Sequence, residues 1–186
     1  MVRWEGGAAA RLQEAALRLF AERGYDGVTV SEIAAAAGLT ERTFFRHFGD
    51  KREVLFTGQE AFERSYLDPL AEADGDPMAA VARAIEAAAA RFPDERRPWS
   101  RARQAVIDAD PRLQERELLK LSLLAERMAA ALRDRGVDGA EALLAAENGV
   151  TVFRVAFARW VADGESRSLI DLQREVLQRL RALVAG

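Results

Sequence analysis

Residues 29 to 55, TVSEIAAAAGLTERTFFRHFGDKREVL, constrain this chain more than any other stretch. Thr29 is followed three residues later by Glu32, the T-x-x-E spacing of a capping box, in which each side chain satisfies the other residue's backbone N–H at a helix start. The helix so begun is predicted over 30–37 and stops at Gly38. Thr40 then N-caps a second short helix reaching Phe48, and Gly49-Asp50 breaks it. Two short helices joined this way need easy access to positive φ at the turn, which Gly38 supplies, and a small residue where they cross, which Ala34 supplies. Ile33, Ala37, Leu39, Phe44 and Phe48 are the apolar positions expected to face inward. Glu41, Arg42, Thr43, Arg46 and His47 are left on an outward polar face. A helix of this size with such a face fits the major groove of B-DNA.

The rest of the chain reads as helix punctuated by breakers. Leu12, Ala16, Leu19 and Phe20 make one apolar stripe over 8–23, ended by Gly24. A long helix is predicted from Lys51 to about residue 73, before Asp74-Gly75-Asp76-Pro77. Further helices are predicted over 78–92, 97–109, 112–135, 140–163 and 167–184. Ala, Leu, Arg and Glu dominate and β-branched residues are sparse, so the expected fold is all-α with about nine helices. The domain boundary is expected between residues 50 and 76, taken as 1–56 for a three-helix helix-turn-helix domain and 57–186 for a second helical domain.

The 186 residues carry a net charge of −3. Global acidity argues against a nucleic-acid partner, but binding requires only local positive charge. Arg42, Arg46, Lys51 and Arg52 against Glu41 and Asp50 make residues 40–52 locally basic. With no cysteine, disulfides, thiolate chemistry and Cys-ligated zinc are excluded. No apolar run of signal-peptide or membrane-spanning length is found, so no membrane association and a cytoplasmic location are expected. Nothing suggests an enzyme. Asp108 and Asp110 are two apart and fall on different helix faces, Glu141 and Glu147 have no accompanying histidine, and the sole histidine, His47, lies in the reading helix. No P-loop or G-x-G-x-x-G occurs. No catalytic residue, metal or cofactor is expected.

The ordered set Thr29, Ala34, Gly38-Leu39, Thr43, Phe45-Arg46-His47-Phe48 and Lys51 closely resembles the TetR family of bacterial regulators, over residues 8 to 56. The remainder is similar only in helix count and length. The resemblance implies a DNA-binding transcriptional regulator, a repressor released from a palindromic operator by a small apolar ligand. Thr29, or the backbone N–H of Val30, with Ser31 beside it, is then expected to meet a phosphate at a helix N-terminus, and Lys51 to do the same at the next helix. Thr40, Glu41, Arg42, Thr43 and Arg46 are expected at base edges, where an arginine can bind guanine O6 and N7 and Glu41 can accept from cytosine N4. His47 is expected to donate to a phosphate. Many relatives carry tyrosine where this chain has Phe45, so a hydroxyl contact is lost and only an apolar contact, such as to a thymine methyl, is left. The alternative class is a helical ligand sensor or enzyme with a vestigial DNA-binding head.

In the helix over 140–163, Leu143, Val150, Phe153, Phe157, Trp160 and Val161 form a wide apolar face, with Leu144, Val152, Val155 and Ala156 on other sides. A helix apolar nearly all round requires burial on several sides. The last helix repeats this with Leu169, Leu172, Val176, Leu180 and Leu183. The resemblance implies that these two helices pair across a two-fold axis in a homodimer. Asn148, Gly149, Thr151 and Arg154 interrupt the apolar surface, either as polar anchors in a cavity or as the rim of that interface. Trp99, Leu124, Met128, Phe153 and Phe157, with Arg103 and Asn148, are candidates to line a pocket for an unidentified small-molecule effector; ordinary core packing is the competing reading. The stretch from Arg97 to Arg103, followed by Asp110-Pro111, resembles family members from high-GC actinobacteria, some of which sense acyl-CoA or other long apolar ligands.

Overall fold

The computed structural model describes residues 7–73 and 75–185. Among these there are nine α-helices and no strand: α1 (Ala8–Arg23), α2 (Val30–Ala36), α3 (Glu41–His47), α4 (Gln59–Ala71), α5 (Pro77–Ala89), α6 (Arg97–Asp108), α7 (Pro111–Asp134), α8 (Gly139–Trp160) and α9 (Leu169–Ala185). They form two compact units. One comprises the chain up to Thr57 together with Arg101–Glu117; the other comprises Gly58–Ser100 and the chain from Leu118 onward.

In the first unit, Leu12, Ala16, Leu19 and Phe20 are buried as their spacing requires. Thr29 and Glu32 form the full capping box, with Thr29 N–H donating to the Glu32 carboxylate at 2.8 Å and Glu32 N–H to the Thr29 hydroxyl at 3.2 Å. Gly38 adopts φ +66° between α2 and α3, where an L side chain would be strained. Leu39 N–H closes the turn onto the Ala34 carbonyl at 2.8 Å.

The predicted long helix from Lys51 is two pieces. Asp50 accepts from the N–H groups of Arg52 and Glu53 at 2.7 and 3.1 Å and starts a 3-10 turn over Arg52–Phe56. The Thr57 hydroxyl donates to Val54 O at 3.0 Å, Thr57 is extended, and Gly58 takes φ +77° before α4 begins. A left-handed glycine cannot continue a helix, so apolar periodicity on both sides of it does not make one helix. Residues 101–117 bind back within this unit. Arg103 donates to Leu55 O at 2.8 Å and pairs with Glu117 at 3.0 Å; Arg116 pairs with Glu53 at 2.6 Å and Arg112 with Asp26 at 2.7 Å.

The second unit is built around α5, α8 and α9, with α4 and most of α7. Asp76 and Asp138 cap α5 and α8 through their carboxylates, and Pro77 opens α5 where its missing N–H costs nothing. Its core includes Tyr66, Leu70, Val81, Ile85, Leu124, Met128, Phe153, Trp160 and Leu172. Gly149 lets α8 approach Val81 and Ile85 of α5 closely. A Cβ on Gly149 would lie 2.5 Å from Val81 Cγ1 and 3.3 Å from Met128 Cε. At the other end of α8, the Arg97 guanidinium donates to Arg167 O at 2.6 Å and to Glu165 O, and lies 5.2 Å over the Trp160 ring. No helix among the described residues is long and apolar enough to cross a membrane.

Candidate nucleic-acid interface

Short helices are marginal alone, and α3 is held by what lies beneath it. Phe44 and Phe48 are buried, with ring centroids 5.0 Å apart, so the helix has one fixed inner side. Thr40 caps it, its hydroxyl accepting from Thr43 N–H at 3.2 Å and lying 3.1 Å from the Thr43 hydroxyl. Glu41, Arg42, Phe45, Arg46 and His47 are exposed, and Thr43 is half-buried. No ion pair or side-chain hydrogen bond to another described residue engages Glu41, Arg42, Arg46 or His47. The outward face is therefore free to meet a partner. Phe45 stands on it as an exposed ring, edge-on to Phe44 at 5.5 Å and 80°.

Ser31 is also exposed at the start of α2. The Thr29 hydroxyl is already engaged, donating to Glu32 at 2.9 Å. Arg23 pairs with the same carboxylate at 2.7 Å, and these contacts, the Thr29 N–H first, hold the Glu32 carboxyl down at about 2. The N-terminus of α2 thus already carries an internal anion, which leaves the backbone N–H of Val30 and the Ser31 hydroxyl as the donors able to turn outward.

Lys51 departs most from expectation. It precedes a short 3-10 turn and not a long helix, so the helix N-terminus expected there is missing. Its ammonium points inward, donating to Tyr25 O at 2.7 Å and Val28 O at 2.8 Å, 4.0 Å from the centroid of the Tyr25 ring. Burial pushes its pKa down, with the nearby Arg112 adding to the effect. Arg112 lies 4.9 Å over the same ring. Lys51 is thus a bracket for the loop between α1 and α2. Its carbonyl partners lie more than twenty residues away, and nothing in the local sequence announces them.

The residues proposed for a pocket do not form one set. Leu124, Met128 and Phe153 share the apolar core of the second unit, with Phe157 packed against it. Phe153 and Phe157 belong to a ring cluster with Phe62, Tyr66, Phe92 and Trp160 at 5.1 to 6.2 Å. Trp99 is half-buried under Arg96, and Asn148 turns back to the Leu144 carbonyl of its own helix at 2.8 Å. Arg103, a candidate to line the same pocket, instead belongs to the first unit. Its guanidinium is committed to Leu55 O and Glu117 and stacks 5.0 Å over Phe56. Sequence reasoning passed over the Tyr66 hydroxyl, which is fully buried beside these rings with no hydrogen-bond partner among the described residues.

A helix-turn-helix with an unengaged outward polar face, on a chain that is otherwise helical and forms a second compact unit, is the arrangement of a class of small bacterial regulators. Residues 12–57 match the profile of the bacterial regulatory proteins of the tetR family, and residues 75–185, more than half of the chain, match the MftR C-terminal domain. The chain belongs to the TetR family. It is 40% identical over 81 residues to the HTH-type transcriptional regulator TcmR of Streptomyces glaucescens, spanning 42% of this chain and 36% of that protein. It is 46% identical over 42 residues to the transcriptional repressor AcnR of Corynebacterium efficiens, 23% of this chain and 22% of that one. The chain thus spans about a third or less of the length of these curated relatives. Among solved structures, the regulator FadR of Bacillus subtilis in complex with stearoyl-CoA shares the fold, with a TM-score of 0.60 at 18% identity over 92% of this chain and 96% of that one. The repressor FadR of Thermus thermophilus in complex with lauroyl-CoA gives 0.52 at 25% identity over 93% of each chain.

Proposed function

We propose that this protein is a transcriptional repressor that lays α3 in the major groove of operator DNA and works by binding alone, without catalysis. The observation that carries the reading is the division of α3 into a buried aromatic side and an exposed side whose charged residues are unengaged. Arg42 and Arg46, four apart on that side, suit bidentate contacts to guanine, and Glu41 suits a cytosine amino group. Thr40 and Thr43 lie within reach of the same groove. His47, Ser31 and the N–H of Val30 are assigned to phosphates, where they orient the head without reading sequence. Such a protein works where the chromosome is, in the cytoplasm.

The reading includes a homodimer through α8 and α9. Leu143, Leu144 and Val155 on α8 and Leu183 and Val184 on α9 are exposed in the single chain, apolar surface that a second copy would cover. Two heads then meet half-sites one helical turn, or a multiple of it, apart on a palindrome. It also includes an apolar effector bound in the second unit, beside the ring cluster of Phe153 and Phe157. The unpaired Tyr66 hydroxyl supports a ligand there, because buried hydroxyls normally have a partner. The acyl-CoA held by the Thermus thermophilus relative supports a long apolar chain as its chemistry. Effector binding would favour a conformation with lower operator affinity.

The test is a mobility-shift assay with promoter DNA flanking the protein's own gene. Arg42→Ala and Arg46→Ala are each expected to weaken specific binding by about 1–3 kcal/mol, five- to more than a hundredfold, with the melting temperature unchanged. Full binding retained by both variants would remove α3 as the reading element.

A further inference from the structure

We propose that Phe45 reads the 5-methyl group of a thymine, so that each operator half-site carries a thymine within one or two base pairs of a guanine held by Arg42. The inference rests on the DNA-binding reading above and goes beyond it by naming a base and the residue that selects it. Phe45 is 54% exposed, in the middle of a face otherwise made of charged and polar side chains. It has no donor or acceptor, so it can serve neither a phosphate nor a base amide. Its ring is nevertheless supported from the core side. Phe44 beneath it is fully buried and meets its ring edge-on at 5.5 Å. Glu41 and Arg42 precede Phe45 by four and three residues, the spacings that place side chains next to one another on a helix, about 5–6 Å apart at Cβ.

The major groove offers such a ring one complementary group. Guanine, cytosine and adenine are told apart there by their donors and acceptors, and thymine alone adds a methyl. Successive base pairs rise about 3.4 Å, so a ring about 5–6 Å from the Arg42 stem falls one or two pairs from the base Arg42 contacts. On this helix the acidic, aromatic and basic side chains at 41, 45 and 42 would thus meet cytosine, thymine and guanine by three separate chemistries.

The experiment uses the full chain and duplexes that it selects from a random library. Each thymine of the selected site is replaced in turn by deoxyuridine, which lacks only the methyl. One position per half-site is expected where the replacement weakens the wild type about fourfold, and about fifteenfold when both half-sites are changed, the effect of one buried methyl-sized group at each. Phe45→Ala should bind less tightly and be indifferent to deoxyuridine at that position, and Phe45→Leu should keep part of the discrimination. Silent deoxyuridine at every position, or equal losses for wild type and Phe45→Ala, would overturn the assignment while leaving DNA binding intact. Failure to enrich any sequence would remove the DNA-binding reading itself.

Discussion

Replacing Gly149 by alanine should destabilise the protein, against the usual direction for a glycine inside a helix. In an open helix interior the change gains about 1 kcal/mol. Here the new methyl would lie 2.5 Å from Val81 Cγ1 and 3.3 Å from Met128 Cε. The end of Met128 can give way. Val81 cannot do so readily, because it is fully buried and β-branched, with one strongly preferred rotamer in a helix. Forcing a methylene-sized group into a filled core costs about 1–3 kcal/mol. Taking about 2 kcal/mol for the clash and returning about 1 for helix propensity leaves a net loss of about 1 kcal/mol. That corresponds to a fall in melting temperature of about 2–4 °C for a chain of this length. The decisive measurement is the same substitution in a Val81→Ala background, followed by thermal melts in far-UV circular dichroism. With the opposing methyl gone, the introduced alanine keeps its propensity and fills part of the space, so the sign should reverse and Gly149→Ala should raise the melting temperature of Val81→Ala. A rise in the wild-type background, or equal falls in both, would refute the close approach of α8 to α5.

Two further outcomes follow from the head. Lys51→Met should lower stability by about 2 kcal/mol, because two carbonyls lose a charged donor, while the salt dependence of operator binding stays as in wild type; a salt slope reduced by about one would return Lys51 to the phosphate backbone. Glu32 predicts an acid limb. Its folded carboxyl is held at about 2 against the ordinary glutamate value of 4.5, so between those values the unfolded chain binds more protons. The contribution is complete above about pH 4.5 and is lost as pH falls toward 2. Acid titrations of wild type and Glu32→Gln should diverge in that window, and superimposed curves would show that the capping box does not hold the head.

What the sequence disclosed depended on how far apart the cooperating residues are. Thr29 with Glu32, Gly38 in its turn, and Phe44 with Phe48 act within a few residues, and each was legible from spacing alone. The break at Thr57-Gly58 was hidden because apolar residues continue on both sides of it, and periodicity does not register one left-handed backbone angle. Lys51 and Arg103 were misread for a different reason. A cation in sequence looks available, and only the fold brings the carbonyls of Tyr25 and Val28 to the one, and Leu55 O and Glu117 to the other. The pairing of Arg112 with Asp26, 86 positions apart, lies beyond any local pattern. Gly149 looked like an interruption in an apolar helix, and its meaning came from Val81 on another helix.

The outer side of α3 has a consequence for how such a protein changes over generations. Glu41, Arg42 and Arg46 make no ion pair or side-chain hydrogen bond to another described residue, and Phe45 rests edge-on against Phe44 with more than half its surface exposed. Exchanging surface residues of this kind usually alters folding by no more than about 0.5 kcal/mol. A lineage can therefore drift toward new target sites through these four positions without first acquiring a sturdier scaffold. A combinatorial library at the same four would vary recognition while the architecture stays constant.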